Sequence, residues 1–231
     1  MDKLTYHNRA RAEVLPFVPE TAQTILEVGC GEGNFGNLLI QKGKRVWGIE
    51  PENTCILLCE KKLTGIFSGT FLDYLAERDR HIMDPSAPPL LHQQFDCVVF
   101  NDVLEHLVDP WEALTASLSL LSPSGCIVSS IPNVRYYKVL KQLLFKKDWR
   151  YVEAGILDRT HLRFFTEKSI LRLFHTCGYR VDVIQGINKS TTPVVSILNI
   201  LLFNLLSGCL FHQYAVRAFP SEFPPEGGLF P

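Results

Sequence analysis

The run Glu27-Val28-Gly29-Cys30-Gly31-Glu32-Gly33 places three glycines at alternate positions, just after a short apolar stretch. Glycine lets a backbone turn sharply and lets a ligand approach with no Cβ in the way. A helix that starts after such a turn offers free N–H groups to an anionic group. Glu50, in Gly48-Ile49-Glu50-Pro51, ends the next apolar stretch. A carboxylate there can accept both hydroxyls of a ribose. Together these residues describe a nucleoside site. The segment Gly31-Glu32-Gly33-Asn34-Phe35-Gly36 also fits the G-x-G-x-x-G pattern. An NAD-type dinucleotide therefore stays open on these residues alone. A bare strand-to-helix turn is the plainer alternative, but one turn does not need so many glycines.

Two further groups could move protons. Asp102, Glu105 and His106 lie in Asn101-Asp102-Val103-Leu104-Glu105-His106-Leu107-Val108-Asp109-Pro110. Asp158 and His161 lie in Asp158-Arg159-Thr160-His161-Leu162-Arg163-Phe164-Phe165-Thr166. Histidine is the side chain best suited to proton transfer near neutral pH. His161 is expected as an acceptor-side base or hydrogen-bond partner, oriented by Asp158, with His106 as the other candidate. For each group the structural alternative is a turn or a pin that holds the chain in place. Around the second group the chain is basic, with Arg135, Lys138, Lys141, Lys146, Lys147, Arg150, Arg159 and Arg163. Tyr136, Tyr137, Trp149 and Tyr151 are interleaved. Such a surface suits a phosphate-bearing or sugar acceptor, or is an ordinary solvated helix face. Single-stranded nucleic acid would also favour this mix, but the patch is short.

The elements that must position these groups alternate between strand and helix, which argues for a parallel sheet covered on both faces. Strands are expected over 24–28, 45–50, 65–68, 95–101, 126–131, 179–184 and 213–218. Helices are expected over 34–41, 52–63, 71–78, 110–121, 136–145 and 166–177. Residues 95–101 form the clearest central strand, since their apolar run is nearly continuous. Residues 79–94 contain Pro85, Pro88 and Pro89 and are expected as a loop. The connection 132–165 is too long for a simple link in a compact domain and is expected to be functional.

The chain of 231 residues is long enough for one α/β domain, and a net charge of −1 favours neither nucleic acid nor an acidic membrane. Its seven cysteines are scattered, with no C-x-x-C pair and no histidine at ligand spacing, so no metal is expected. They suggest reduced core thiols in a cytoplasmic protein. Residues 1–11 lack an apolar signal segment. Residues 194–211 are mostly apolar but interrupted by Asn199, Asn204 and Ser207. They are short for a bilayer span and are expected as a buried or partner-facing helix, with peripheral membrane contact as the alternative.

Taken in order, Glu-x-Gly-x-Gly-x-Gly, Gly-Ile-Glu-Pro and Val-Leu-Glu-His-Leu-x-Asp-Pro resemble class I methyltransferases that use S-adenosylmethionine. The branch related to ubiquinone-biosynthesis O-methyltransferases is the nearest in look, over about residues 25–183. The Asp158–Thr166 string is similar to one found in methyltransferases of glycan and cell-surface biosynthesis. The resemblance implies a doubly wound, Rossmann-like α/β fold with a seven-stranded sheet, mostly parallel with an antiparallel last strand, and a helical lid. It implies a single domain over 1–220, with 132–165 as the acceptor-side insert and 221–231 as a flexible tail. S-adenosylmethionine is the implied cofactor. Glu27, Gly29, Gly31 and Gly33 would form its loop, and Glu50 its ribose ligand. Pro51, Thr70 and Phe71 would flank the adenine, with Asn101 and Val103 beside the methionine chain. Ser68-Gly69-Thr70 stands where many relatives carry an Asp, so the contact to the adenine amino group is not carried over. Tyr6 or Arg9, before the first strand, would reach the cofactor's carboxylate. The implied reaction is methylation of a hydroxyl on a sugar, glycolipid or other small molecule. A quinone or polyprenyl-type acceptor, a SAM-binding partner without turnover and an NAD-dependent dehydrogenase are the alternatives. A homodimer is compatible with all of them.

Overall fold

The computed structural model describes residues 10–192, 199–201 and 203–222. Seven strands form one sheet: β1 (Thr24–Val28), β2 (Arg45–Glu50), β3 (Gly65–Ser68), β4 (Phe95–Asn101), β5 (Leu121–Pro132), β6 (Tyr179–Lys189) and β7 (Phe211–Pro220). Their order is β3-β2-β1-β4-β5-β7-β6. The pairs from β3 to β5 are parallel, and β7 runs antiparallel to both β5 and β6. The expected fold class is thus the observed one.

Seven α-helices have both ends described: α1 (Asn34–Ile40), α2 (Asn53–Cys59), α3 (Phe71–Arg80), α4 (Pro89–His92), α5 (Pro110–Ser117), α6 (Tyr137–Lys146) and α7 (Glu167–Thr176). Side chains alternate across the sheet with the period of two that a pleated strand imposes. Leu26, Val98, Phe100 and Ile127 face one apolar layer with Tyr74, Leu114, Ile170 and Phe174 from α3, α5 and α7. Ile25, Cys97, Val99 and Val128 face the other, with Val14 and Phe17 near the N-terminus and Phe35 and Leu39 of α1. The central strands are buried on both faces, which explains their continuous apolar runs.

Several expected boundaries move, each for a local reason. The expected helix over 52–63 ends at Cys59, and Leu63 folds back with its N–H donating to the Cys59 carbonyl at 2.9 Å. Leu63 then packs under the glycine loop, close to Gly36 and Gly48. β5 begins five residues before its expected start, at Leu121, because Phe95 pairs with Leu121 and Cys97 with Cys126, leaving Ser122–Gly125 as an irregular excursion. The expected loop over 79–94 contains α4, whose Leu90 and Leu91 are buried. β6 and β7 run past their apolar stretches because each pairs with the other along its length. Thr166 caps α7 by accepting from Ser169 N–H, and Gly178 follows the helix at φ +84° as its stop.

The stretch 194–211 is not one buried helix where it is described. Residues 199–201 are helical, 203–210 are turns, and Ile200, Leu201, Phe203 and Leu205 are exposed. Asn204 and Phe203 both adopt positive φ, which ends a helix. Among the described residues no helix is long and apolar enough to cross a membrane. Tyr6, Arg9 and the tail from residue 223 lie outside the described residues.

Candidate functional site

Chain order reverses between β1 and β4, and in an open α/β sheet a crevice forms at the carboxyl edge of such a point. A cavity of about 400 Å³ opens there. Gly29 follows β1, Glu50 ends β2 with Pro51 just after it, and Thr70 caps α3, which Phe71 starts; all five line it. Asn101 and Val103, at the end of β4, line it as well.

The glycine loop is built as its sequence requires. Gly29, Gly31 and Gly33 have φ of +66°, +54° and +72°, a region that costs other L-residues energy. At Gly29 a Cβ would come within 2.7 Å of Val103 Cγ2, so the loop backbone lies directly against the Val103 side chain. Glu50 holds this loop: its Oε2 accepts from Gly31 N–H at 2.7 Å and its Oε1 from Glu52 N–H at 3.0 Å. Each oxygen keeps a further lone pair for a ligand hydroxyl.

Glu27, Gly31 and Gly33 do not line the cavity; they shape the loop from behind. Glu27 turns away, and its Oε2 accepts from Gly36 N–H at 3.0 Å at the start of α1. Burial pushes its carboxyl up to about 8. Thr70 is partly committed to structure, because its hydroxyl and the Asp73 carboxylate form a reciprocal cap on α3. The residues at this edge fit a nucleoside carrying an amino-acid chain. Glu50 suits vicinal hydroxyls, Ile49 and Phe71 offer apolar walls for a base, and the Asn101 amide nitrogen is buried with no partner among the described residues.

The expected acceptor residues do come together. His106, after β4, and Asp158, Arg159 and Thr160 of the insert line the same cavity. The His106 and His161 rings meet edge-on with centroids 4.6 Å apart. His106 Nδ1 lies 3.3 Å from the Thr160 carbonyl and 3.2 Å from Thr160 Oγ1, whose hydrogen goes to Asp158, so Nδ1 is the donor there. His161 is 6% exposed and lies behind the cavity wall, with Nδ1 3.0 Å from the Ile156 carbonyl. Both imidazoles are held with pKa lowered, chiefly by burial. The expected side-chain pairing of Asp158 with His161 is not what the structure uses. Asp158 Oδ1 accepts instead from Thr160 N–H and hydroxyl at 2.8 and 2.7 Å, and only the backbones of 158 and 161 bond. The short spacing favours an Asx-type turn, which consumes that oxygen.

Glu105 is the least expected member. It is 1% exposed, and no other residue donates a hydrogen bond to either carboxylate oxygen among the described residues. Its main-chain carbonyl accepts from Leu162 and Arg163 N–H at 2.8 and 3.0 Å, which pins the insert to the β4 turn. Most of the insert's aromatic residues are used in packing, whereas Lys138, Lys141, Lys146, Lys147 and Arg150 stay exposed. Tyr136 and Val139 form a small core with Ile156 and Leu157, against which Trp149 and Phe164 pack. Arg163 lies over the Trp111 ring.

Arg11 was only one of several basic residues near the start of the sequence, yet it underlies the site. Its guanidinium meets Asp102 at 2.8 Å and donates to Ser130 Oγ at 2.8 Å and to Gln213 Oε1 at 3.2 Å. Gln213 in turn donates to Asp102 at 2.6 Å. Asp102 has φ +55°, a strained value for its type, and this network holds it. No local pattern marks Arg11, since its partners lie far along the chain.

Comparison with known proteins gives a consistent picture. A family model described as a methyltransferase domain matches residues 4–183. An uncharacterized methyltransferase of Geobacillus kaustophilus is 30% identical over 172 residues, covering 72% of this chain and 73% of its own. A ubiquinone biosynthesis O-methyltransferase of Histophilus somni is 24% identical over 176 residues, covering 72% of this chain and 71% of its own. A SAM-dependent methyltransferase structure from Archaeoglobus fulgidus aligns with TM-score 0.63 at 21% identity, covering 94% of each chain. A Burkholderia thailandensis 1,6-didemethyltoxoflavin-N1-methyltransferase, solved with S-adenosylhomocysteine, aligns at TM-score 0.59 and 14% identity over 95% of this chain and 82% of its own. At these identities the structures establish the shared fold.

Proposed function

We propose, from the premise that this chain belongs to the methyltransferase-domain family, that it binds S-adenosylmethionine and transfers the methyl group to a hydroxyl of a small-molecule acceptor. One observation carries the reading: Gly29, Glu50 and Asn101 share a single cavity with His106, Asp158 and Arg159. The first three suit the donor and the second three face whatever else enters. Bound there, S-adenosylmethionine supplies a methyl group already activated on a sulfonium, leaving S-adenosylhomocysteine. The chain's part is then largely positioning. Glu50 and the loop amides fix the ribose, Phe71 and Pro51 border the base, and Asn101 donates to the amino-acid end.

On the acceptor side, His106 has its Nδ1–H on the Thr160 carbonyl, which leaves Nε2 as a free lone pair for an acceptor hydroxyl. His161 and Asp158 act through it: His161 packs against its ring, and Asp158 holds Thr160. Residues 132–165 are then the lid, within a single domain over 1–220. The seven free, buried cysteines fit a cytoplasmic location.

Two acceptor classes compete. Arg159 at the cavity supports a sugar or glycolipid. A quinone or polyprenyl-type acceptor is favoured by the ubiquinone-type relatives and by exposed apolar side chains. Phe203 is 97% and Phe145 80% exposed. Calorimetry with S-adenosylhomocysteine tests the donor: micromolar binding is expected, weakened at least about tenfold in Glu50→Gln. NAD binding in its place would overturn the reading. Turnover of labelled S-adenosylmethionine over sugar and polyprenyl-phenol acceptors tests the reaction, and binding without any turnover would mark a SAM-binding partner protein. Co-sedimentation with anionic vesicles, lost in Phe145→Ser/Phe203→Ser, supports the lipid class.

A further inference from the structure

Glu105, His106 and His161 bring one ligand atom each to within 4.8 Å of one another. Their arrangement makes little sense as packing. A buried carboxylate ordinarily recruits donors, because leaving its oxygens bare costs several kcal/mol by the usual desolvation penalty. Here neither oxygen of Glu105 is served by another residue among the described residues, although the side chain is 1% exposed. His161 does not serve it either. Its Nε2 stands 4.0 Å from Glu105 Oε1, beyond hydrogen-bond reach. Its Nδ1 faces the Ile156 carbonyl, which can only accept, so Nδ1 carries the proton and Nε2 turns a lone pair toward the carboxylate. His106 Nδ1 faces the Thr160 carbonyl at 3.3 Å and Thr160 Oγ1 at 3.2 Å, and because that hydroxyl gives its hydrogen to Asp158, Nδ1 is the donor here too. Two imidazoles anchored through Nδ1–H, with no hydrogen-bond partner for either Nε2 among the described residues, is how proteins orient histidines toward a cation.

We infer that Glu105, His106 and His161 form a site for a divalent transition-metal ion, with zinc as the natural probe, open to the cavity on the His106 side. Two neutral imidazoles and one carboxylate form a borderline donor set that suits such ions better than calcium or magnesium. A cation between Glu105 and the two rings would satisfy the bare carboxylate and both lone pairs together. His106 lines the cavity, so a vacant position on the ion would face the acceptor. An acceptor hydroxyl that would ligate there gives its proton to solvent water in the cavity more readily, since the His106 lone pair is then spent on the ion. That last consequence rests on the methyltransferase reading above; the site itself does not.

The sequence spacing concealed the site, because Glu105 and His106 are adjacent while His161 lies far along the chain. The insert brings them together through the two hydrogen bonds from residues 162 and 163 to the Glu105 carbonyl.

The test uses tag-free full chain stripped with a chelator. Titration with zinc should show about one tight equivalent, and cobalt(II) should give a visible absorption band of a low-coordinate site. Glu105→Gln and His161→Gln should each weaken zinc binding at least about tenfold. Zinc should raise the melting temperature of the wild type and not of Glu105→Gln. A purely structural Glu105 predicts the reverse, a variant destabilised with or without metal. Absence of zinc and cobalt binding at millimolar concentration, or equal binding by Glu105→Gln, overturns the inference. S-adenosylhomocysteine binding is measured on the same samples. If it binds and zinc does not, the metal site falls and the methyltransferase reading stands. If zinc binds and the nucleoside does not, the metal site stands and the methyltransferase reading falls.

Discussion

Glu27 offers a demanding check on how the site is built. Its carboxyl sits on the inner face of β1, behind the glycine loop, and accepts from Gly36 N–H. Burial raises it most; that hydrogen bond opposes the shift, and the nearby Cys59 and Glu50 add to it. The result is a carboxyl pushed from 4.5 to about 8. In the unfolded chain it titrates at its ordinary value. Between the two values the unfolded state has lost the proton and the native state keeps it. Stability from this group is therefore full below pH 4.5 and is lost as pH rises through about 8. The slope is about 1.4 kcal/mol per pH unit, and the total is on the order of 5 kcal/mol. The side chain is only 3% exposed, so no solvent screening reduces this figure. It is comparable to the whole stability of many domains, which lie at about 5–15 kcal/mol. In Glu27→Gln the amide oxygen still accepts from Gly36 and nothing titrates. Urea unfolding of both proteins from pH 5 to pH 9 should show the variant gaining steadily on the wild type up to about pH 8 and then levelling. Nucleoside affinity should hold within a few fold, because Glu27 does not face the cavity. Curves that stay parallel within about 1 kcal/mol would mean that Glu27 titrates normally and that the burial argument is wrong.

Two other perturbations probe the frame of the site. Arg11→Met leaves Asp102 buried beside Ser130 and Gln213 without its cation, and should cost about 3–5 kcal/mol in urea unfolding. Adding Asp102→Asn should recover much of that loss; a strictly additive double variant would show that the pair is not coupled. Gly29→Ala forces a Cβ against Val103 at a left-handed φ, for about 1–2 kcal/mol of backbone strain and about 1–3 kcal/mol of overlap. Gly29→Ala/Val103→Ala should remove the overlap and keep the strain. A double variant no more stable than the single one would show that the contact is not limiting.

Much of the fold could be read from local pattern. The continuous apolar run of β4 announced a strand buried on both faces, and Thr166 and Gly178 bracketed α7 because capping is a matter of a few adjacent residues. The alternate glycines and Glu50 announced a nucleoside edge for the same reason: each acts at the end of its own strand. Boundaries failed where pairing outran composition. β5 starts at Leu121 because Phe95 offers it a partner, although Ser122–Gly125 reads as a turn.

The acceptor side was legible in its residue types and not in its arrangement. His106, Asp158 and His161 could be picked out by chemistry, but their spacing implied an Asp158–His161 pair that the turn at Thr160 takes apart. The sequence by itself determined the strand order's raw material, the glycine loop and its acidic partner, because these depend on φ, on pleat and on neighbours a few residues away. Only the tertiary structure decided that Arg11 would hold Asp102, that Glu27 would stand behind the loop, and that Glu105 would be buried without donors beside two histidines. Each of those depends on what distant segments bring to one place. Burial and electrostatics are properties of that place and not of the residues alone.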